Sequence, residues 1–206
     1  MRFFLRVFSL LLAAAAVYTA AGLVSVVSVF RSSDVVGGLS GESLRVKIYG
    51  SGMENGTATV SAVVSLVDSN GNEMSVIERS WSGLYLSVDY ACADIGGRIY
   101  MFPCRVYGHT SMAGRNSADG NVFRGSYGTT LEKYFDEDGQ CMLLGAGSGL
   151  SERKALYRIA RFACRKRFLP AFSLVSVRTV TLSDCMTGFY YSISSSPDGT
   201  LSVGML

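Results

Sequence analysis

The chain opens with a run of apolar residues that carries no charge. Val7 to Phe30 contains no acidic or basic side chain, and Arg2 and Arg6 stand just before it. About 20 apolar residues in a helix cross a hydrocarbon core of about 30 Å with every backbone group hydrogen-bonded internally. Residues 1–30 are therefore predicted to be a signal anchor or a signal peptide, and the preceding basic residues favour a cytoplasmic N-terminus.

Two fates stay open for this segment. An uncleaved helix would hold the rest of the chain at the outer face of a membrane. Cleavage near Ala21, where Thr19 and Ala21 supply small residues at the spacing that a signal peptidase uses, would instead release a secreted domain. The length of the apolar run favours the anchor.

The pattern changes after a Ser/Gly-rich linker at residues 31–43. Short runs of β-branched and aromatic residues then alternate with turn signals, among them Asn70-Gly71 and Asp138-Gly139. Residues 44–206 are thus predicted to form one β-rich domain. Its longer predicted strands are Leu44 to Tyr49, Thr57 to Val67, Met74 to Trp81, Leu84 to Ala91, Gly97 to Tyr107, Phe172 to Leu182, Gly188 to Ser194 and Thr200 to Met205.

Ser151 to Phe168 has the period of an amphipathic helix. Apolar residues recur on one face from Leu156 to Cys164, with basic residues opposite. Ser151 is predicted to cap the first turn, and Pro170 to end the helix. One long helix among many strands predicts an α+β fold, mostly antiparallel β, with the helix packed on a sheet.

The charge balance argues against nucleic-acid binding. The chain has 19 basic and 16 acidic side chains, and Arg2 and Arg6 account for two of the basic ones. The remaining 17 basic and 16 acidic residues leave the domain nearly neutral. A neutral surface has no general attraction for phosphate backbones.

No cofactor or metal motif is complete. Gly145 to Gly149 lies before the helix, but Leu150 stands where a dinucleotide fingerprint needs glycine, and no lysine completes a P-loop. His109 is the single histidine, and the five cysteines show no C-x-x-C spacing. We predict neither a cofactor nor a metal, and the sequence leaves any disulfide pairing open.

Two short motifs resemble those of sortases. Gly108-His109-Thr110 is similar to the histidine motif of that family, and Thr181 to Cys185 is similar to its cysteine motif. Sortases are membrane-anchored β-barrel transpeptidases that use a cysteine thiolate, a histidine and an arginine. The resemblance implies Cys185 as nucleophile and His109 as acid and base. Asp184 replaces the family's threonine, and no arginine follows Arg178.

The function that these features favour is that of a non-enzymatic interaction or structural protein of the cell envelope, with no catalytic residues. The alternatives are a sortase-like Cys-dependent acyl transferase that uses Cys185 and His109, or a domain that binds a small ligand or lipid. Gly108 to Thr130 is a long segment with five glycines and little periodicity. Long loops on a rigid sheet often carry recognition, so this one is the predicted surface for a protein partner.

Deletion of this loop should remove a protein partner and leave the domain folded. Protein crosslinked to the chain in cells of its host would be identified with the wild type and with a variant that carries a short Gly/Ser linker in place of the loop. Unfolding of both purified proteins provides the control. A variant that no longer folds would contradict the prediction.

Overall fold

The structure, a computed structural model, describes residues 2–54, 56–109, 128–165 and 174–206. It confirms an α+β fold in which the sheets are mostly antiparallel. Helix α1 spans Arg2–Ser33 and helix α2 spans Leu150–Arg165. The strands are β1 (Gly41–Glu54), β2 (Thr57–Val67), β3 (Glu73–Ser82), β4 (Tyr85–Ile95), β5 (Arg98–His109), β6 (Thr129–Thr130), β7 (Asp136–Glu137), β8 (Gln140–Cys141), β9 (Val175–Thr181), β10 (Tyr190–Ser195) and β11 (Leu201–Met205).

Two sheets make up the body of the domain. One has five strands in the order β11-β10-β1-β2-β3, and the other has four in the order β6-β5-β4-β9. Strands β7 and β8 form a separate small hairpin. Local hairpins pair β1 with β2, β2 with β3, and β4 with β5, whereas β9 and β10 return from late in the chain to complete the two sheets.

The turn between β2 and β3 is built around Asp68. Its Oδ1 accepts hydrogen bonds from the backbone N–H of Asn70 at 2.9 Å and of Asn72 at 2.8 Å. Gly71 has a φ of 84°, a left-handed conformation that favours glycine. The structure therefore confirms the hairpin that Asn70-Gly71 predicts.

The chain passes from one sheet to the other through a tight contact between two glycines. Gly83 follows β3 and has a φ of 154°. A Cβ atom on Gly83 would lie 2.5 Å from the carbonyl carbon of Gly108, and one on Gly108 would lie 2.2 Å from the carbonyl oxygen of Ser82. The two backbones can approach this closely only because both residues lack a side chain.

The inner faces of the two sheets share one apolar core. Strand alternation turns Leu86, Val88 and Tyr90 of β4 to one side, and all three are buried. The Tyr90 hydroxyl is 3.0 Å from the hydroxyl of Ser43 on β1, so this side of β4 faces the five-stranded sheet. These two buried hydroxyls are thus hydrogen-bonded to each other across the interface, as a dry interior requires.

Helix α2 packs against β4, β5 and the end of α1. Its buried residues are Ala155, Leu156, Ile159, Ala160, Phe162 and Ala163. The first turn is capped differently from the sequence prediction, because the N–H of Gly149 donates to Glu152 Oε2 at 2.8 Å while Ser151 lies inside the helix. A glutamate three residues after the N-cap often fills this role. The predicted helix end, including Pro170, lies outside the described residues.

The segment predicted as a linker packs along the start of β5. Helix α1 continues to Ser33, whose carbonyl accepts a hydrogen bond from Arg98. The carbonyl of Val36 accepts a bond from the Tyr100 hydroxyl at 2.9 Å, and the Leu39 N–H donates to the carbonyl of Ile99 at 3.1 Å. These bonds fix the end of α1 to the four-stranded sheet.

Candidate functional site

The outer face of the four-stranded sheet, which points away from the five-stranded sheet, is apolar near the middle of β4 and polar towards its start. Near the middle of β4, Ala91 and Ala93 lie on this face and are buried. Towards the start of β4 the same face presents Tyr85, Ser87 and Asp89, which alternate with the apolar residues of the core. Ser87 and Asp89 are also buried, so this strand places polar groups away from water on its second face.

Asp89 is the centre of a hydrogen-bonded cluster across three strands. Its Oδ1 accepts a bond from the Thr179 hydroxyl at 2.7 Å and one from the Tyr107 hydroxyl at 3.2 Å. The register explains the arrangement, because Asp89 pairs with Thr179 on β9 and with Arg105 on β5. The cluster therefore joins both neighbours of β4 to one carboxylate.

Burial dominates the electrostatics of this cluster. It raises the pKa of Asp89, although the bonds from Thr179 and Tyr107 and the charge of Arg105 act in the opposite direction. Burial, together with the nearby charge of Asp89, raises the pKa of Tyr107 to about 12. Tyr107 thus keeps its proton at neutral pH and serves as a donor. The carboxylate is held in place by hydroxyl groups.

Ser87 adds a hydroxyl that has no hydrogen-bond partner among the described residues. The side chain is fully buried, and its Oγ makes no hydrogen bond within the described part of the chain. The residue pairs with Tyr107 on β5 and with Thr181 on β9, one row of the sheet away from Asp89. A buried hydroxyl without a partner costs free energy, so Ser87 is the least satisfied polar group of this face.

The structure brings the two sortase-like motifs to the same end of the four-stranded sheet. His109 ends β5 and stacks on Tyr85, with the ring centroids 4.9 Å apart. On the other side of β4, the Leu182 N–H donates to the carbonyl of Leu86, and Cys185 follows three residues later. His109 thus lies beside the start of β4, whereas Cys185 follows the end of β9 and packs against the core, and no hydrogen bond joins their side chains in the described structure.

The surroundings of Cys185 oppose thiolate chemistry. Burial and the neighbouring carboxylate of Asp184 both raise the pKa of the Cys185 thiol. Arg178 pairs with Tyr90, so it projects to the opposite face of β9 from Thr179, and it donates to the carbonyl of Gly199. The arginine nearest to the motif in sequence is therefore engaged elsewhere.

The glycine-rich turn before α2 is held by contacts within the protein. Gly145 has a φ of 80°, and a Cβ atom there would lie 2.7 Å from Asp68 Oδ2. A phosphate bound at a helix N-terminus needs free N–H groups. Here the carboxylate of Glu152 already accepts the hydrogen bond from the N–H of Gly149.

One cavity in the described part of the chain is too small for a small-molecule ligand. This cavity lies beside β1, is lined by residues that include Ser43, Met101 and Leu143, and has a volume of about 10 Å³. That is room for about one water, whereas small-molecule pockets measure about 300 Å³ or more. Within the described residues, no three His, Cys, Asp or Glu side chains come together as a metal site would require.

Sequence reasoning missed the cluster around Asp89. The alternation of Leu84 to Ala91 puts Ser87 and Asp89 on the same face, which is the usual pattern of a solvated side of a strand. The burial arises because β9 pairs with β4 from 90 residues further along the chain. The predicted partner surface, the loop Gly108 to Thr130, lies largely outside the described residues and stays a prediction.

The charge of Asp89 should make the stability of the domain depend on pH. Because its pKa is raised in the folded protein, the folded state binds this proton more tightly than the unfolded chain. Its contribution to the free energy of unfolding therefore falls as pH rises from the ordinary carboxyl value through the folded value. Asp89→Asn keeps an oxygen for both hydroxyl donors, so we expect its stability relative to the wild type to increase from pH 4 to pH 7.

Urea unfolding of the full chain in detergent measures this effect. Asp89→Ala is the matched variant, which leaves the hydroxyls of Tyr107 and Thr179 without their acceptor and should lose about 2 kcal/mol. A wild type that gains stability relative to Asp89→Asn as the pH rises would show that the carboxylate is favoured by the fold.

Comparison with protein-family models, with curated proteins and with solved structures finds no match to this chain. No residue role is therefore transferred from a relative. The function is therefore inferred from the geometry of the described residues and from the apolar helix α1.

Proposed function

We propose that this protein is a single-pass membrane protein whose β-rich domain lies outside the cytoplasm, where it acts as a non-enzymatic interaction or structural protein of the cell envelope. The observation that carries the proposal is the exposed apolar surface of α1. The most apolar 18-residue window of Leu10–Ser33 has a mean hydropathy of 2.2, and 6% of that window is buried within the protein. A helix of this length and composition suits a bilayer.

Helix α1 buries one side against the domain and exposes apolar residues on the other, and this pattern favours an uncleaved anchor. Gly22 and Val29 are buried and Val26 is half-buried, which is one stripe along the helix. The other side of the same turns carries exposed apolar side chains, namely Leu23, Val24, Val27 and Phe30. Cleavage near Ala21 would leave this second side in water, whereas a retained helix keeps it in lipid.

Helix α2 gives the domain a basic surface beside the anchor. Lys154, Arg158 and Arg161 are exposed on the side of α2 opposite its buried residues. Because α2 packs against the last turns of α1, these cations would lie near the head groups of the membrane. Attraction to anionic lipids would hold the domain close to the bilayer surface.

The orientation follows from charge at the start of the chain. Arg2 and Arg6 precede the apolar segment, and basic residues before a span favour retention of that end in the cytoplasm. The domain would then lie on the far side of the membrane.

The hydrogen bonds of the buried polar groups support a non-enzymatic role. Asp89 accepts hydrogen bonds from Tyr107 and Thr179, and these bonds hold three strands together.

A sortase-like acyl transferase is the second candidate. The observation that favours it is that His109 and Leu182, which is three residues before Cys185, lie on either side of the start of β4. The raised pKa of Cys185 and the stacking of His109 on Tyr85 weigh against it. We therefore place this function second.

If α1 is an uncleaved anchor, the protein should be found in the membrane and should keep its N-terminal residues. We expect the full chain, made in its own host, to stay in the membrane pellet after alkaline carbonate extraction, with residues 1–21 present in its intact mass. Leu12→Arg combined with Val17→Arg should reduce membrane retention, because each arginine at the centre of a span costs about 3 kcal/mol. Leu12→Ala combined with Val17→Ala is the matched control and should remain in the pellet.

Recovery of wild-type protein in the soluble fraction would refute the anchor. A mass without residues 1–21 would indicate a cleaved signal peptide. An intact mass in the cytosol would remove the placement outside the cytoplasm as well.

Thiol labelling separates the two candidate functions. With its pKa raised, Cys185 holds little thiolate at neutral pH, so a maleimide should label it more slowly than free cysteine. The rate should rise as the pH is taken above neutrality. Peptide mass spectrometry of the folded full chain assigns the labelled residue, and Cys185→Ser identifies the background. Rapid labelling that His109→Ala abolishes would favour the acyl transferase.

A further inference from the structure

Two cysteines that are far apart in sequence meet between α2 and β5. Cys104 Sγ and Cys164 Sγ lie 2.9 Å apart, although the residues are 60 positions apart in the chain. Cys104 is buried on β5, and Cys164 is half-buried near the end of α2. Among the described cysteines, this is the pair whose sulfur atoms are in contact.

Local structure explains why the two sulfur atoms meet. The pairing of β4 with β5 shifts between Asp89 and Tyr90, so Asp89 pairs with Arg105 and Tyr90 with Pro103. Cys104 is the extra residue of this bulge, and a bulge redirects the side chain that it inserts. On α2, Cys164 continues the buried face one helical turn beyond Ala160.

We propose that Cys104 and Cys164 form a disulfide bond when the domain is in an oxidising compartment. A closure of about 0.9 Å would bring the two sulfur atoms from 2.9 Å to a bond length of about 2.05 Å. The compartment follows from the proposed function, which places the domain outside the cytoplasm, where disulfides persist.

The reaction is a thiol–disulfide exchange. The two thiols lose two protons and two electrons as the bond between Cys104 Sγ and Cys164 Sγ forms. The disulfide of a thiol–disulfide oxidoreductase accepts both electrons and both protons and leaves as a dithiol. In a test with purified protein, oxidised glutathione takes this role and leaves as two molecules of reduced glutathione.

Cys141 is the competing partner. It is buried, and it lies near enough to Cys164 to contribute to the raised pKa of that thiol. No contact between the sulfur atoms of Cys141 and Cys164 is found in the described structure. Cys185 lies beyond the end of β9, and Cys92 lies beside Gly199 at the turn between β10 and β11. The geometry therefore selects Cys104.

The bond would fasten α2 to the sheet. Helix α2 is the element that joins the end of α1 to β4 and β5, so a covalent link near its last turn would hold the helix even when its apolar contacts loosen. A bridge between residues 60 positions apart also restricts the unfolded chain. We expect reduction to lower the melting temperature by about 5 °C or more.

The first arm of the test uses the purified full chain in detergent. The reduced protein is incubated in a glutathione redox buffer, the remaining thiols are alkylated, and the digest is analysed without reduction. We expect a linked peptide that joins Cys104 to Cys164, with the other three cysteines alkylated. Cys104→Ser and Cys164→Ser should each lose the linked peptide and the shift in melting temperature, whereas Cys141→Ser should keep both.

A bridge between Cys141 and Cys164, or no bridge at all in this buffer, would overturn the inference. Either result is independent of where the protein resides in the cell.

The second arm tests the compartment. Cells of the host are quenched in acid, and free thiols are trapped before lysis. A bridge present in cells supports both the inference and the placement of the domain outside the cytoplasm. A pair that closes in the purified protein but is reduced in cells supports the inference and counts against the placement.

Discussion

The packing of α2 against both α1 and the four-stranded sheet is the contact on which the arrangement of this protein depends. An α-helix usually buries one stripe, but α2 buries a wide face because it has neighbours on two sides. Removing it would uncover the surfaces of α1, β4 and β5 against which it packs. The apolar helix and the sheets are therefore parts of one packed body.

Much of the fold could be predicted from local sequence. Thr57 to Val67 coincides with β2, and Asn70-Gly71 marks the turn that follows it. The spacing of apolar residues in α2 identifies its buried face, Leu156 to Ala163. A helix repeats about every 3.6 residues, so a short stretch of sequence is enough to show which face is apolar. Helices and hairpins that form between residues close in sequence can therefore be predicted from the sequence.

What could not be predicted depends on partners that are distant in sequence. Nothing local to β4 indicates that β9 lies beside it, so neither the burial of Asp89 nor its bond to Thr179 can be anticipated. The same is true of the contact between Cys104 and Cys164, which requires a bulge and a helix to meet. The capping of α2 by Glu152 was missed for a smaller reason, since the prediction placed the N-cap at Ser151, whereas the helix begins at Leu150 and Glu152 bonds to the N–H of Gly149.

The place of β10 in the five-stranded sheet has a consequence for the order of events during synthesis. Strand β1, near the start of the domain, pairs on one side with β2 and on the other with β10, so Val46 lies opposite Tyr191. The five-stranded sheet cannot close until β10 has been made and has paired with β1. Truncation before β10 would leave β1 with a bare edge, which is a template for aggregation.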